Sequence, residues 1–575
     1  MVKTRNSNHS RCAFHIGKQF YHFLMKHYKR EGRLKAPSRR TNLLRRLAAL
    51  NLERSLSQKV FRIEKVWFLI AAFLIAYTLI FSYFTLLKHY GFRTYAWDLG
   101  IFNQSLWTTL RDGKFFYNNV ELLVNPSGSF FGTHFSPILF LLLPFYALYS
   151  APQTLLVIQS FAVALSVIPL YKLSVEVLRS RSIGVVFAGV LLLYPPLQGV
   201  NWFDFHLQSF LPLFFFSTLY FLQRQNWRYY FVFVVLSLMV EEHAAMTIFF
   251  IGMLAVVQHR KHILSVSKTR RIRDTILLVS VTTLVLSAVW YLMTIWIRDA
   301  FFPVSPAFLS TFKASSNWSV LGATDPLMIP FYAIRYPDKA LLALGYDSLL
   351  KAEYLTALFV PFALISFLKI EYLLPTLPWF VYSLFSNYHY YYIIYDQYPA
   401  YVLPFIVAAA IYALNNRHVL SLSRMRKALA IILLCTTITC VFQSPLSPYA
   451  FFVSEGGVPT ITRHEQMINE VLTWIPANAS VITQNNLFPH VSSRINAYAI
   501  PSPVYADKKS ESREFTNRTL DEVEYALVDV RTDAFSSSVI MSLMNERVDF
   551  NVEVTGDGII LYRNGFEGNE TILTP

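Results

Sequence analysis

The chain has 575 residues, of which 54% are hydrophobic and only 15% are charged. Soluble proteins are typically about a quarter charged, so this composition excludes an ordinary soluble globular protein. The net charge of +16 is concentrated at the start of the chain, where residues 1–65 hold 17 Lys and Arg against 3 Asp and Glu. Basic segments beside membrane spans stay in the cytoplasm, so this charge indicates orientation in a membrane and not a nucleic-acid partner.

Eleven apolar segments follow this basic arm and predict membrane spans, because runs of about 20 apolar residues match the hydrocarbon thickness of a bilayer. The predicted spans are 66–87, 153–171, 182–197, 206–222, 229–240, 244–258, 275–297, 353–368, 372–386, 398–414 and 428–442. With residues 1–65 in the cytoplasm, an odd number of crossings places the C-terminus outside. We therefore predict a mainly α, polytopic transmembrane helix bundle over residues 66–442, located in the cell membrane.

The segment "HFSPILFLLLPFYALY" (134–149) decides the middle of this topology. If it crosses the membrane, residues 229–258 must form a single span, which buries "EEH" (241–243) at the membrane centre. If it is re-entrant or interfacial, 229–240 and 244–258 form a hairpin whose tip, 241–243, faces outwards. Charges at a bilayer centre are costly, and basic loops prefer the cytoplasm, so the sequence favours the second arrangement.

Residues 443–575 predict a small extracytoplasmic α/β domain. "HEQMINEVLTWI" (464–475) has helical periodicity, and "VEYALVDV" (523–530) has the pattern of a buried strand. "SSSVIMSLMNE" follows as a helix, and "FNVEVTGDGIILYR" predicts a hairpin that turns at Asp557-Gly558.

On this topology, ionisable residues from segments far apart in sequence reach the outer membrane boundary. Such residues are expensive in a membrane and mostly serve pathways or binding sites. They are Asp98, His134, Asp204, His206, Glu241, Glu242 and His243, with His389 and Asp396 in a tyrosine-rich segment as further candidates. For Asp98, the N-cap of the following amphipathic helix is an equally good interpretation.

Histidines and carboxylates together suit two kinds of chemistry. They can bind a divalent metal ion, or a carboxylate can act as general base while cationic groups hold a phosphate leaving group. No diagnostic metal or nucleotide motif chooses between them, so the cofactor is left open, with Mn²⁺, Zn²⁺ or Mg²⁺ as the metals considered and Glu241, Glu242 and His243 as ligands.

Four motifs in this order, "WDLGIFNQSLW", "GTHFSPILFLLLPFY", "FDFHLQSFLPLFFFSTLYFL" and "VEEHAAMT", resemble an uncharacterised family of predicted prokaryotic membrane proteins grouped with the GT-C glycosyltransferases. GT-C enzymes take a sugar from a polyprenyl-phosphate carrier and transfer it to an acceptor on the outer side of the membrane. Their pattern has an acidic residue in the first outer loop, where this chain has Asp98. His134 corresponds to the histidine segment that follows in relatives, and Asp204 and Glu241 or Glu242 correspond to later acidic positions.

The resemblance implies a lipid-linked sugar transferase in which Asp98 deprotonates the acceptor hydroxyl. His134, His206 and His243 would bind the donor phosphate or a metal, with Glu241 or Glu242 as a ligand or second acid and Arg335 as a phosphate contact. The partners would be membrane lipid, a polyprenyl-phosphate sugar and a glycan, lipid or protein acceptor recognised by the outer domain. The alternative is a transporter or lipid-binding membrane protein without transferase activity.

Overall fold

The computed structural model describes residues 39–259, 270–303, 317–415, 422–449, 457–501 and 509–574. The chain divides into two units at residue 68, and nearly all of the described elements belong to the second unit, residues 69–575. Most of the described residues are helical, and strands lie almost entirely in the last hundred residues.

The helices of the first half are α1 (Arg39–Tyr90), α2 (Ile101–Asp112), α3 (Ile138–Tyr146), α4 (Pro152–Leu165), α5 (Val167–Leu178), α6 (Arg181–Leu192), α7 (Pro195–Trp202), α8 (Leu211–Gln223), α9 (Trp227–Leu238), α10 (Ala244–Gln258) and α11 (Arg270–Phe301). The later helices are α12 (Ile329–Arg335), α13 (Pro337–Gly345), α14 (Ser348–Phe359), α15 (Leu377–Leu384), α16 (Leu403–Leu414), α17 (Leu422–Gln443), α18 (Arg463–Leu472), α19 (Phe488–Val491), α20 (Lys509–Leu520) and α21 (Ala534–Met544).

Four helical stretches are long and apolar enough to cross a membrane: Lys65–Tyr90, Pro152–Leu178, Asp274–Phe301 and Ser423–Gln443. Two bent pairs raise this number to six if each pair is one span. Four of the shorter apolar helices, from 12 to 17 residues long, coincide with the remaining predicted spans. The described part of the chain therefore has the helical character of a membrane protein, with four to six full-length candidate spans.

Proline and positive backbone angles explain the two bends. The first pair bends by 48° where Pro195 and Pro196 follow α6, since proline cannot continue the preceding helix. The second pair, Ser348–Phe362 and Ile365–Leu384, bends by 114°, and Ala363 and Leu364 between them have positive φ. The segments predicted as two spans at 353–368 and 372–386 thus form one sharply bent pair.

The segments that decided the predicted topology are short. α3 has nine residues and contains Pro144, so it is about 14 Å long, half the thickness of the hydrocarbon core. α9 ends at Leu238 and α10 begins at Ala244, so Glu241-Glu242-His243 lies between two helices and not inside one.

The C-terminal residues form one six-stranded sheet. Its strands are β1 (Val481–Thr483), β2 (Ala497–Ala499), β3 (Tyr525–Asp529), β4 (Phe550–Gly556), β5 (Ile559–Asn564) and β6 (Thr571–Ile572), in the order β2-β1-β3-β5-β4-β6. β1 pairs in parallel with β2 and β3, whereas β5 pairs antiparallel with β3 and β4. The predicted buried strand at 523–530 and the hairpin at Asp557-Gly558 are confirmed, the latter with positive φ at both turn residues.

Candidate functional site

Asp98 lies in a single π-helical turn, Ala96–Gly100, that leads into α2. The N-cap of this turn is Tyr95, and no side chain caps it, so the N-cap interpretation of Asp98 is wrong. Its carboxylate turns instead to His206, whose Nε2 lies 3.0 Å from Asp98 Oδ1. The Asp98 side chain keeps 21% of its surface exposed. One carboxylate oxygen is thus paired, and the group remains partly open to a ligand.

His206 is buried and held on three sides. Its backbone N–H donates to Gln159 Oε1 at 2.8 Å, and its Nδ1 lies 3.2 Å from the carbonyl oxygen of Phe203. Both ring nitrogens therefore face oxygen atoms that only accept hydrogen bonds, those of Phe203 and Asp98. A carboxylate paired with an imidazolium, which has a proton on each nitrogen, satisfies this arrangement.

Asp204 connects the His206 segment to the first helix. Its Oδ1 lies 3.4 Å from Lys88 Nζ, and its Oδ2 accepts the backbone N–H of Tyr95 at 2.6 Å. The side chains of Lys88 and Asp204 are at most 2% exposed. This buried ion pair fixes the start of the Asp98 turn against the segment that supplies its histidine, so Asp204 positions the pair.

Glu242 joins three other segments. Its Oε1 lies 3.2 Å from His134 Nδ1 and accepts a hydrogen bond from Arg298 at 2.8 Å. Its Oε2 accepts the backbone N–H of Phe135 at 3.2 Å. The Glu242 carboxylate therefore holds the His134 segment and the end of α11 together.

Glu241 connects this cluster to the Asp98–His206 pair. It accepts hydrogen bonds from Gln208 Nε2 at 2.5 Å and from the hydroxyl of Tyr401. It also lies 3.7 Å from His243 Nδ1 and interacts electrostatically with His206. Since Gln208 follows His206 closely in the chain, the two clusters belong to one continuous polar site.

The three remaining predicted residues are placed differently. Asp396 is 3% exposed and interacts electrostatically with both Asp98 and His206, which puts it at the same site. Arg335 is exposed, with its guanidinium 5.3 Å from the Tyr336 ring centroid, and His389 is exposed too. Within the described residues, no hydrogen bond or ion pair joins Arg335 or His389 to the other members.

Lys88 and Arg298 belong to the site but were not predicted from the sequence. The sequence nevertheless contains a pattern that distinguishes both residues. Each is a basic residue at the end of a predicted span that the topology above assigns to the outer side. The positive-inside preference makes such residues exceptions. Both exceptions are paired with buried carboxylates, those of Asp204 and Glu242.

The Asp98 segment also contacts residues of the C-terminal sheet region. The backbone N–H of Ala96 donates to Asn485 at the end of β1, to its carbonyl oxygen at 2.8 Å and to its Oδ1 at 2.9 Å. Asn103 and Gln104 are fully buried and donate to the segment that leads into β2, namely to Ser492, Ser493, Arg494 and Ala497. The first motif therefore supplies both a site residue and the attachment of the domain.

The comparison with protein families covers most of the chain. Residues 88–561 match the family described as "Predicted membrane protein (DUF2079)". The chain belongs to this family. The match spans every predicted site residue, together with Lys88 and most of the C-terminal sheet, but the function of the family is unknown. No curated protein matches the chain.

Proposed function

We propose that this protein is an integral membrane glycosyltransferase that moves a sugar from a polyprenyl-phosphate donor to an acceptor hydroxyl on the outer face of the cell membrane. The observation that carries the proposal is the Asp98–His206 pair, in which a partly exposed carboxylate is held by a buried histidine. The GT-C resemblance assigns a catalytic acid to this position and supplies the reaction class, which the pair alone does not.

In the proposed reaction, the acceptor oxygen attacks the anomeric carbon of the donor sugar. The bond from this carbon to the phosphate oxygen breaks as the new glycosidic bond forms, and polyprenyl phosphate leaves. Asp98 takes the proton of the acceptor hydroxyl on the carboxylate oxygen that His206 does not hold. The His206 imidazolium keeps the carboxylate ionised and orients it, as expected of a group that supports a general base.

Positive groups for the donor phosphate come from both clusters. His134 and Arg298 lie beside Glu242 and supply hydrogen-bond donors, whereas His206 contributes positive charge, since both of its ring nitrogens are engaged. Arg335, which is exposed and outside these contacts, is a further candidate. The buried oxygens Gln208 Oε1 and Gln397 Oε1 have no hydrogen-bond partner among the described residues. Unpaired buried oxygens are costly, so both are available to sugar hydroxyls.

The proposal includes the topology with eleven crossings, a cytoplasmic basic arm and an outer C-terminal domain. The contact between Ala96 and Asn485 supports a role of this domain in acceptor recognition, since it lies two residues from Asp98. The acceptor would be a glycan, a lipid or a protein.

Asp98→Asn tests the catalytic assignment. Purified full-length protein is assayed with a panel of polyprenyl-phosphate sugars and acceptors. Removal of a general base is expected to lower the rate about 10²–10⁴-fold. Asp338→Asn is the matched control, because Asp338 is exposed in the first turn of α13. Transfer that survives Asp98→Asn, or falls equally in both variants, overturns the assignment.

Cysteine labelling tests the orientation. Val548 is 96% exposed in the C-terminal domain, so Val548→Cys presents a thiol to solvent there. A membrane-impermeant maleimide added to intact cells should label this variant above the wild-type background. Labelling that requires cell lysis would place the domain in the cytoplasm and reject the topology.

A further inference from the structure

A second cluster in the site has the ligand types and the spacing of a metal centre. One nitrogen each of His134 and His243 and one carboxylate oxygen of Glu241 lie within 4.8 Å of one another. Glu241 is 4% exposed, whereas the imidazole side chains are 37% and 30% exposed. The cluster is therefore closed on its carboxylate side and open on its imidazole side.

The hydrogen-bond partners of these side chains are of the kind that orients the ligands of a metal ion. A metal-bound histidine usually donates its other ring N–H to a carboxylate or carbonyl, which fixes the ring. His134 Nδ1 lies 3.2 Å from Glu242 Oε1, so its Nε2 is left as the ligand atom. Gln208 and Tyr401 orient the Glu241 carboxylate by hydrogen bonds in the same way.

The cluster combines two carboxylates with one permanent cation. Glu241 and Glu242 supply the carboxylates, and Arg298 binds Glu242. A divalent cation between His134, Glu241 and His243 would bind to these side chains with both imidazoles neutral and the carboxylate ionised, since ligands lose their protons when a metal binds.

We propose that His134, Glu241 and His243 form a zinc site with one open coordination position. Two imidazoles and one carboxylate are the ligand set of an open, catalytic type of zinc site, whereas Mg²⁺ prefers sites made of oxygen ligands alone. The sequence prediction of Glu241, Glu242 and His243 as ligands is thus refined. In this proposal His134 coordinates the ion, and Glu242 orients His134.

The ligand atoms must move closer together to complete this geometry. With zinc bonds of about 2.0–2.1 Å, tetrahedral ligand atoms stand about 3.4 Å apart. The three atoms now lie within 4.8 Å of one another, and Glu241 Oε1 and His243 Nδ1 lie 3.7 Å apart, so the widest pair closes by up to about 1.4 Å. His134, Glu241 and His243 all lie outside the regular helices, in connecting segments, which are more mobile than helices.

The open position is suited to an anionic oxygen ligand. Glu241 interacts electrostatically with His206, so a group held there would lie near the Asp98–His206 pair. A donor phosphate is the group we expect, and this role, unlike metal binding itself, rests on the proposed function.

Zinc binding can be measured without any sugar donor. Purified full-length protein is stripped with a chelator and dialysed against Zn²⁺, and bound metal is then counted by mass spectrometry. We expect one Zn²⁺ per chain, retained in excess Mg²⁺ and bound more tightly as pH rises, because ligands must lose protons. Glu242→Gln should weaken affinity about 10–100-fold, because it removes the carboxylate that orients the metal-binding His134.

His134→Gln and His243→Gln should abolish this binding, and size-exclusion elution of each variant reports whether it is folded. His464→Gln is the matched control, since His464 contacts two carboxylates in the C-terminal domain. Absence of stoichiometric Zn²⁺ in the wild type, or unchanged binding in folded His134→Gln and His243→Gln, overturns the metal site. Loss of binding in His464→Gln alone would place the ion elsewhere. Zinc binding in a protein that transfers no sugar would reject only the proposed function.

Discussion

The ion pair of Lys88 and Asp204 makes the sharpest test of how the site is assembled. Asp204→Asn removes the negative charge but keeps an oxygen that can accept the Tyr95 N–H. The ammonium group of Lys88 then remains in the protein interior, 3.4 Å from a neutral amide. The expected result is a large loss of stability, together with loosening of the segment that holds His206.

The burial of the pair sets the magnitude. An exposed ion pair contributes at most about 1 kcal/mol. Here both side chains are no more than 2% exposed, and removal of one partner of such a pair costs about 3–5 kcal/mol. Lys88→Met removes the other charge, so the double variant should cost less than the sum of the two single variants. We expect a coupling free energy of about 0.5–3 kcal/mol.

The assay is unfolding of the full chain in mixed micelles with a rising fraction of denaturing detergent, followed by tryptophan fluorescence. Trp202, whose ring centroid lies 5.8 Å from Lys88 Nζ, is one of the ten tryptophans that contribute to this signal. Lys369 and Glu371 form the control pair, 3.5 Å apart with 33% and 22% of their side chains exposed, and should show little coupling. Costs for Lys88 and Asp204 that add within about 0.5 kcal/mol would refute the reasoning.

Two further predictions concern the C-terminal domain. In Gly100→Ala the added Cβ would lie 2.6 Å from Phe488 Cδ1, so we expect a loss of about 1–3 kcal/mol and faster proteolysis of the domain. Phe488→Ala is itself destabilising because Phe488 is fully buried, but Gly100→Ala should cost less when added to it; proteolysis of Gly100→Ala at the wild-type rate would contradict this. Burial disfavours the charged form of His464, but hydrogen bonds to Asp529 and Asp557 outweigh it and raise its pKa. This stabilisation is complete below the unfolded pKa of about 6.5 and is lost as pH rises through the folded pKa, so Tm should fall over that interval and His464→Gln should flatten the slope.

Site residues could be predicted from the sequence where a charged residue interrupts an apolar segment. Charged residues that interrupt apolar runs pointed to Asp98, Asp204, His206 and the cluster at 241–243, and the structure brings all of these to one site. The hairpin at 557–558 was predictable for the opposite reason, because an Asp-Gly turn between alternating strands is a strong local signal.

Pairings between distant segments could not be predicted in this way. His206 and Asp98 are 108 residues apart, and Lys88 and Asp204 are 116 apart. Periodicity identifies the face of a helix but not its partner. Hydropathy alone does not determine the number of membrane spans either, since helices of 12 to 17 residues are apolar like the four to six full-length candidate spans.

The segment "WDLGIFNQ" shows why the site and the C-terminal domain cannot be treated as separable parts. Asp98 lies in the π-helical turn Ala96–Gly100, and Asn103 and Gln104 lie in the first turn of α2, which follows it directly. Asp98 faces His206, while Asn103 and Gln104 are committed to the domain. Ala96, two residues before Asp98, also donates to Asn485, so contacts to the C-terminal sheet lie on both sides of Asp98 in the same short segment. The domain thus positions Asp98 as well as lying beside it.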